Sequence, residues 1–127
     1  MKKILVTGGA GYVGTTLVPM LLEEGHEVTV IDNLMFMNGD RMIPFINDDR
    51  FSFVKGDVRN VELMKNLVEN KDVVIHLAAY VGFPICRLKG QDEAHSLNTE
   101  ATRTLTELMT DQQYLLFGST GSNYGEV

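Results

Sequence analysis

Short apolar runs rich in β-branched residues alternate along the chain with longer stretches in which apolar residues recur every three or four positions. The short runs predict strands, and the periodic stretches predict helices between them. Five strands are predicted, at Ile4–Val6, Val28–Ile31, Phe51–Val54, Val73–Ile75 and Tyr114–Phe117. Helices are predicted over residues 12–24, 60–69 and 92–109, with a short helix near residues 39–47. Because strands and helices alternate and the strand runs are continuously apolar, we expect a parallel sheet with helices on both faces.

The same pattern places several individual side chains. Tyr80–Pro84 and Cys86 are assigned to the loop after the fourth strand, where Tyr80–Pro84 either borders a substrate or packs as plain loop. His76 ends an apolar strand and is expected to be a core histidine with its hydrogen bonds satisfied. Three methionines lie on apolar helix faces and are expected in the core: Met20, Met64 and Met109.

Composition and charge narrow the classes of protein that fit. The chain has 127 residues, 44% of them apolar and 22% charged, which is ordinary for one globular domain. Its net charge of −6 argues against a surface that coats nucleic acid or an anionic membrane, since that requires clustered Lys and Arg. No apolar run approaches the ~20 residues that span a bilayer, and the start is too short and glycine-rich for a signal peptide. We therefore expect a cytoplasmic protein with no nucleic-acid or membrane partner.

Cysteine and histidine content argues against a metal or a disulfide framework. The single cysteine excludes a disulfide framework and a cysteine-based zinc site. None of the three histidines has ligand spacing with a second histidine and a carboxylate, so no metal site is expected.

A glycine-rich segment lies between the first predicted strand and the first predicted helix. Thr7–Gly14 contains glycines at 9, 11 and 14 in the spacing Gly-x-Gly-x-x-Gly, with a further glycine at position 8. Such glycines allow a sharp turn, close approach of the backbone to a pyrophosphate, and close packing of helix on strand. The helix N-terminus then presents free N–H groups to the phosphates. A plain tight turn is the alternative, but three aligned glycines exceed what such a turn requires.

An acidic residue ends the second predicted strand, eighteen positions after the last glycine of the loop. A carboxylate at Asp32 can accept both hydroxyls of an adenine ribose, and Asn33 can bond to the same ribose. The charge of Asp32 would repel the additional phosphate of NADP, so NAD is the expected cofactor. The alternative is a solvated residue at a strand end. Together with the strand pattern, the glycine-rich segment and Asp32 predict a three-layer α/β Rossmann fold, with about five strands in the order 3-2-1-4-5.

These residues resemble the extended short-chain dehydrogenase/reductase family, which includes NAD-dependent epimerases and dehydratases of nucleotide sugars. The resemblance rests on five blocks in the order in which that family has them: Thr7–Gly14, Asp32, Gly56–Arg59, His76–Ala79 and Ser119–Gly125. The blocks span the whole chain, and together they are specific.

The resemblance implies which residues would contact NAD. Asp57 and its neighbour Val58 would contact the adenine, the residues after His76 would line the cofactor, and Asn98 would have a structural and proton-relay role. The cofactor-binding residues so implied are Gly8, Gly11, Tyr12, Val13, Gly14, Asp32, Asn33, Asp57, Val58, Leu77, Ala78, Ala79 and Asn98.

The resemblance also implies a catalytic residue and a missing partner. The family's catalytic hydroxyl lies four positions before the tyrosine of a Tyr-Gly pair, which is Thr120 here, and it bonds to the sugar oxygen being oxidised. The family's base is the tyrosine of a Tyr-x-x-x-Lys motif, and none of the four tyrosines has a lysine four positions later within these 127 residues. We therefore expect residues 1–127 to be a truncated NAD-binding Rossmann domain, inactive alone, from an enzyme whose later strands and substrate-binding region lie elsewhere. A shortened clone, an incomplete gene model and a natural short paralogue all fit this expectation.

The reaction class and the alternatives stay open at this point. Gly121 and Ser122 stand where the dehydratase branch has Asp-Glu, and Tyr80–Pro84 lacks the lysine that UDP-glucose 4-epimerases carry there. The full enzyme, an oxidoreductase or isomerase, would transiently oxidise a hydroxyl of a UDP- or dTDP-linked sugar, and the family resemblance implies a homodimer. The alternatives are a non-catalytic dinucleotide-binding or regulatory module, and a dehydrogenase of a small alcohol or amino acid with the same fold.

Overall fold

Five parallel strands form the central sheet of the computed structural model, which describes residues 1–126. The strands are β1 (Lys3–Thr7), β2 (Glu27–Asp32), β3 (Phe51–Lys55), β4 (Val73–His76) and β5 (Tyr114–Phe117). Their spatial order is β3-β2-β1-β4-β5, which confirms the predicted order. In the register of the sheet, Thr7 at the end of β1 lies beside Ile31 of β2 on one side and His76 of β4 on the other.

Helical segments connect the strands. They are α1 (Gly14–Glu23), α2 (Val61–Val68), α3 (Phe83–Lys89), α4 (Gln91–His95) and α5 (Ala101–Leu108), with 3₁₀ helices at Gly39–Phe45 and Gly121–Tyr124. A π-helical turn, Ser96–Glu100, joins α4 to α5, so the helix predicted over residues 92–109 is one helical run with a widened turn in its middle. Helix α2 begins at a conventional cap, because the Asn60 side chain accepts a hydrogen bond of 3.1 Å from Leu63 N.

Two apolar clusters lie on opposite faces of the sheet, which confirms the three-layer architecture. Alternate residues of β1 point to opposite faces, with Ile4 and Val6 in one cluster and Leu5 in the other. The first cluster includes Val18 and Leu22 of α1, and the second includes side chains of α2 and α5. Within residues 1–126, each helix is too short or too polar to cross a lipid bilayer.

The segment after β4 differs from the sequence expectation, because residues 83–89 form α3 and Cys86 lies inside that helix rather than in a loop. Phe83 and Leu88 are exposed, and α3 has no fully buried residue, so it leaves no periodic apolar signal in the sequence. Its start does have a local cause, since Pro84 occupies the first turn, where its missing N–H is not needed.

The expectation for the three methionines is confirmed for one of them and wrong for another. Met64 is fully buried, and Met109 is partly buried against the second apolar cluster. Met20 is 57% exposed, because α1 turns Val18 and Leu22 toward the sheet instead.

Candidate functional site

Gly8 and Gly14, in the glycine loop between β1 and α1, pack too closely against neighbouring backbone to carry side chains. Gly8 has a φ of +69°, and a Cβ atom placed on it would lie 2.8 Å from the backbone nitrogen of Ala78. A Cβ atom on Gly14 would overlap the carbonyl oxygen of Gly9 and lie 2.5 Å from its Cα atom. Only glycine fits at these two positions, which lets the chain turn sharply from β1 into α1.

Tyr12 and Val13 lie on the open side of this loop. Their side chains are exposed, and Val13 precedes the first helical residue of α1. Within residues 1–126, no side chain caps the first turn of α1. The first turn is closed by backbone instead, because Thr15 N donates to Gly11 O at 3.1 Å and Thr16 N donates to Val13 O at 3.2 Å.

Asp32 at the end of β2 faces the glycine loop. Its Oδ2 accepts a hydrogen bond of 3.1 Å from Ala10 N, and its Oδ1 accepts one of 2.8 Å from Leu34 N. Each carboxylate oxygen has two lone pairs, so both oxygens retain acceptor capacity beyond these bonds. The neighbouring Asn33 is exposed, and its Oδ1 accepts a hydrogen bond from Met35 N. The ribose-binding roles expected of these two residues stay predictions.

Asn38 joins the site, although the sequence gives no signal for it. Its Nδ2 donates a hydrogen bond of 2.7 Å to the carbonyl oxygen of Ala10, while its buried Oδ1 has no hydrogen-bond partner within residues 1–126. Two left-handed residues shape the preceding turn, Leu34 (φ +55°) and Met37 (φ +52°). A buried acceptor without a partner is costly unless a donor from a ligand or water completes it.

A chain of buried hydrogen bonds lies behind the loop, at the end of β4. Thr7 Oγ1 accepts from the amides of Leu77 (3.1 Å) and Ala78 (3.2 Å), so its own proton is donated to His76 Nδ1 at 2.7 Å. The His76 ring then carries its proton on Nε2, which donates to Thr102 Oγ1 at 3.0 Å. Burial lowers the pKa of His76 to about 4, so the ring is neutral at physiological pH. This confirms the expected core histidine with satisfied hydrogen bonds.

Asn98 fixes the backbone that follows this chain. It lies in the π turn, where Thr102 Oγ1 donates to its carbonyl oxygen. Its side-chain Oδ1 accepts from Tyr80 N at 2.8 Å, and its Nδ2 donates to Tyr80 O at 2.9 Å. Asn98 thus holds the segment that contains Leu77, Ala78 and Ala79 in place, and a π turn at such a position is typical of functional sites.

Asp57 follows β3 and is held by a neighbouring arginine. Arg59 donates through Nε to Asp57 Oδ1 at 2.9 Å and through Nη2 to Oδ2 at 2.7 Å, and these hydrogen bonds keep the Asp57 carboxyl pKa below its usual value. The side chain of Val58 is buried in the second apolar cluster, so Val58 can offer a ligand only its backbone. Arg59 also reaches Glu93 on α4, a contact between residues far apart in sequence.

Thr120 follows β5, at the start of the second 3₁₀ helix. Its Oγ1 accepts a hydrogen bond of 3.2 Å from Ser122 N, and its side chain is exposed. A shallow cavity of about 330 Å³ is lined here by Ser119, Thr120, Gly121, Asn123 and Tyr124.

All the predicted site residues except Asn98 lie at or after the carboxyl ends of the strands, and these ends lie along one edge because the sheet is parallel. The glycine loop follows the central strand β1, from which the chain order runs outward in both directions. This is the switch point at which open α/β sheets bind ligands. Within residues 1–126, no group of three or more His, Cys, Asp or Glu side chains could hold a metal ion. The fold and this edge together define a dinucleotide-binding α/β protein.

Comparison with known proteins gives the family. The model of the NAD dependent epimerase/dehydratase family matches residues 4–127, and the chain belongs to that family. It is 36% identical to the UDP-glucose 4-epimerase of Halalkalibacterium halodurans over 97% of this chain, and 34% identical to the low-salt glycan biosynthesis protein Agl12 of Haloferax volcanii over 98%. These alignments cover 36% and 41% of the two relatives, so the chain spans about two fifths of their length.

A solved structure agrees with this assignment. The UDP-glucuronic acid 4-epimerase of Bacillus cereus, in complex with UDP-glucuronic acid and NAD, superimposes with a TM-score of 0.88 at 30% identity. The match covers 98% of this chain and 42% of that enzyme.

The residues at this edge fit NAD, the cofactor of the family. A Cβ atom at Gly8 or Gly14 would collide with the backbone of Ala78 or Gly9, so the tight turn that a pyrophosphate loop needs requires glycine at both positions. The buried Asn38 Oδ1 beside the loop lacks a donor within the described residues, and a ribose carries hydroxyl donors. Asp32 offers acceptor capacity at the same place.

Proposed function

We propose that this chain is the NAD-binding part of a nucleotide-sugar epimerase- or dehydratase-type oxidoreductase. The observation that carries the proposal is the tight glycine turn after β1, with the Asp32 carboxylate bonded to its Ala10 amide. One relative named above is a UDP-glucose 4-epimerase, and the solved structure is a UDP-glucuronic acid 4-epimerase in complex with UDP-glucuronic acid, which supports a UDP- or dTDP-linked sugar as substrate of the whole enzyme. Cytoplasmic location and a homodimeric whole enzyme belong to the same proposal.

The proposed NAD-binding roles differ from one strand end to the next. Gly8, Gly11 and Gly14 would let the loop amides approach the pyrophosphate, with Tyr12 and Val13 beside it at the start of α1. Asp32 and Asn33 would bind the adenine ribose, Asp57 and the Val58 backbone the adenine, and Leu77, Ala78 and Ala79 would line the remaining cofactor. Asn98 would fix that last segment through its two bonds to Tyr80. When bound, NAD supplies the acceptor for the hydride removed from the sugar.

Thr120 is the proposed substrate-orienting residue. Because its Oγ1 accepts the Ser122 amide, its hydroxyl proton is available for donation to a sugar oxygen. A threonine hydroxyl is too weak a base to remove a proton from a sugar hydroxyl, so Thr120 orients the substrate and does not activate it. In the family, activation belongs to a Tyr-x-x-x-Lys motif, which these 127 residues lack.

Replacing Asp32 with alanine is expected to weaken NAD binding by roughly tenfold or more, since hydrogen bonds to a charged group contribute about 1.5–3 kcal/mol. Isothermal titration of NAD into both chains measures the change. Asp40→Ala removes an exposed carboxylate from the first 3₁₀ helix and is the matched control, with affinity unchanged.

The charge of Asp32 is tested separately by comparing NAD with NADP. The unaltered chain is expected to prefer NAD, because the 2′-phosphate would lie against the carboxylate, and Asp32→Asn is expected to reduce that preference. Equal affinity of the unaltered chain for the two cofactors would show that Asp32 does not lie at the ribose.

The 127-residue chain is expected to show no turnover with NAD⁺ and UDP- or dTDP-linked sugars, because it contains no Tyr-x-x-x-Lys base. The measurement is chromatographic detection of an altered sugar nucleotide together with NADH absorbance. Turnover would refute the role assigned to the missing motif. Binding without turnover also fits the non-catalytic module, and a Tyr-x-x-x-Lys motif in adjoining coding sequence would decide for the enzyme.

A further inference from the structure

Arg59 uses every nitrogen of its guanidinium group on acidic partners. Nε and Nη2 bond to the two oxygens of Asp57, at 2.9 and 2.7 Å, and Nη1 bonds to Glu93 Oε1 at 2.8 Å. The backbone amide of Arg59 adds a fourth hydrogen bond, of 2.8 Å, to Asp57 Oδ1. A planar guanidinium held at both ends in this way has little rotational freedom, and so neither has the Asp57 carboxylate.

The contacts continue from Glu93 to the other side of the proposed cofactor site. Glu93 Oε1 also accepts a hydrogen bond of 3.0 Å from the hydroxyl of Tyr80. The backbone of Tyr80 is held in turn by both polar atoms of the Asn98 side chain. A continuous series of hydrogen bonds therefore joins the turn after β3 to the segment after β4.

The remaining acceptor capacity of Asp57 is confined to one oxygen. Oδ1 accepts two hydrogen bonds from Arg59, which occupy both of its lone pairs, whereas Oδ2 accepts one. One lone pair on Oδ2 is left for a ligand, in a direction that the guanidinium fixes. An exocyclic amine such as that of adenine is a donor that suits a single fixed acceptor.

We propose that Arg59 is a positioning residue for NAD: it orients Asp57 toward the adenine and, through Glu93 and Tyr80, ties the adenine-side turn to the segment that lines the rest of the cofactor. The inference rests on the proposed function, because it presupposes that Asp57 contacts the adenine. It adds a residue that acts on the cofactor only through others.

A second Asp-x-Arg pair in the chain separates this role from simple turn formation. Arg50 makes the same three bonds to Asp48, from its backbone amide at 2.9 Å, from Nε at 3.1 Å and from Nη2 at 2.9 Å. That pair precedes β3 and so lies at the opposite edge of the sheet from Asp57. In the part of the chain that the structure describes, Arg50 forms no ion pair with a second acid. The three bonds that the two pairs share explain the local turn. The contact with Glu93 and the position after a strand's carboxyl end are found in the Arg59 pair and not in the Arg50 pair.

The test compares Arg59→Gln with the matched control Arg50→Gln in the 127-residue chain. Calorimetry with NAD and with AMP is expected to show that Arg59→Gln weakens both by roughly tenfold, while Arg50→Gln changes them by less than about twofold. Arg59→Lys retains the charge but not the planar pair of nitrogens that bonds to both Asp57 oxygens. We expect it to restore less than half of the binding free energy that Arg59→Gln loses. Unfolding midpoints of the two glutamine variants should agree within about 2 °C, because both pairs are partly exposed.

A second readout does not depend on the ligand. Hydrogen exchange of the Tyr80 amide is expected to accelerate in Arg59→Gln and in Glu93→Ala of the free chain, by roughly fivefold, and to stay unchanged in Arg50→Gln. Glu93→Ala removes the oxygen that accepts both bonds, from a helix with no buried residue, so it serves even where Arg59→Gln folds poorly.

The outcomes distinguish this inference from the proposal on which it rests. If the unaltered chain binds NAD and the Arg59 variants bind it equally well, Arg59 has no positioning role and the proposed function stands. If the Tyr80 amide exchanges at the same rate in the unaltered chain and in the three variants, the hydrogen bonds of Arg59 do not stabilise the Tyr80 backbone, and the inference fails. If the unaltered chain binds neither NAD nor AMP, the proposed function fails and this inference fails with it.

Discussion

Replacing Gly14 with alanine is expected to abolish measurable NAD binding and to lower the free energy of unfolding by roughly 3 kcal/mol, the upper part of the range for overpacked sites. The added Cβ would overlap backbone atoms of Gly9, which cannot rotate away as a side chain would. Helix α1 must then move away from the loop, and the amides that would meet the pyrophosphate move with it. Calorimetry with NAD and chemical denaturation measure the two effects.

The control for this variant is a glycine in open space. A Cβ atom at Gly121 would meet nothing within 4 Å, and its backbone is not left-handed, so Gly121→Ala should unfold like the unaltered chain. A Gly14→Ala chain that keeps both its stability and its affinity for NAD would show that the glycine loop does not bind NAD.

Acidification from pH 6.5 toward pH 4 is expected to lower the stability of the chain by roughly 3 kcal/mol through His76 alone. Burial lowers the pKa of His76 from its ordinary 6.5 to about 4, so the unfolded chain binds this proton more tightly than the folded chain does. The stability contribution is therefore complete above pH 6.5 and is lost as pH falls through this window. Denaturation curves at a series of pH values measure the slope.

Variants separate His76 from other titrating groups. His76→Gln removes the ionisation while keeping hydrogen-bonding atoms between Thr7 and Thr102, so its stability should change much less with pH over the same window. His95→Gln, which replaces an exposed histidine on α4, is the comparison for removing an imidazole outside the core. Hydrogen bonds from Arg59 lower the pKa values of Asp57 and Glu93, so the stability they add begins to be lost as the pH falls to their ordinary values of 3.8 and 4.5, at the acid end of the window. Identical slopes for the unaltered chain and His76→Gln would contradict the buried neutral ring.

The strands of the sheet and the position of the glycine loop could be predicted because both follow from short-range patterns. Continuous apolar runs identify buried parallel strands, and the glycine spacing after β1 identifies the turn that a pyrophosphate requires. Helix α3 could not be predicted because it has no buried face. The burial of Met20 was predicted wrongly because α1 has apolar residues on several sides, so its sequence does not show which side faces the sheet.

The parts of the site that the sequence missed depend on tertiary structure. Asn38 reaches Ala10 only because Leu34 and Met37 adopt left-handed backbone conformations, which neither residue type favours. Arg59 and Glu93 are separated by 34 positions, and the sequence does not say which acid will face which base. Such pairings are decided by how α4 packs beside the turn after β3.

The widened turn in the helical run 91–108 sets the angular phase between its two halves. A π turn holds one residue more than an α turn, and each residue of an α-helix rotates the chain by about 100°. Without that additional residue, Glu93 would swing by about 100° about the axis relative to Leu105 in the core, and its carboxylate would no longer face Arg59. Inserting or deleting a residue within Ser96–Glu100 would therefore separate Glu93 on α4 from Arg59, while α5 would stay packed on the sheet.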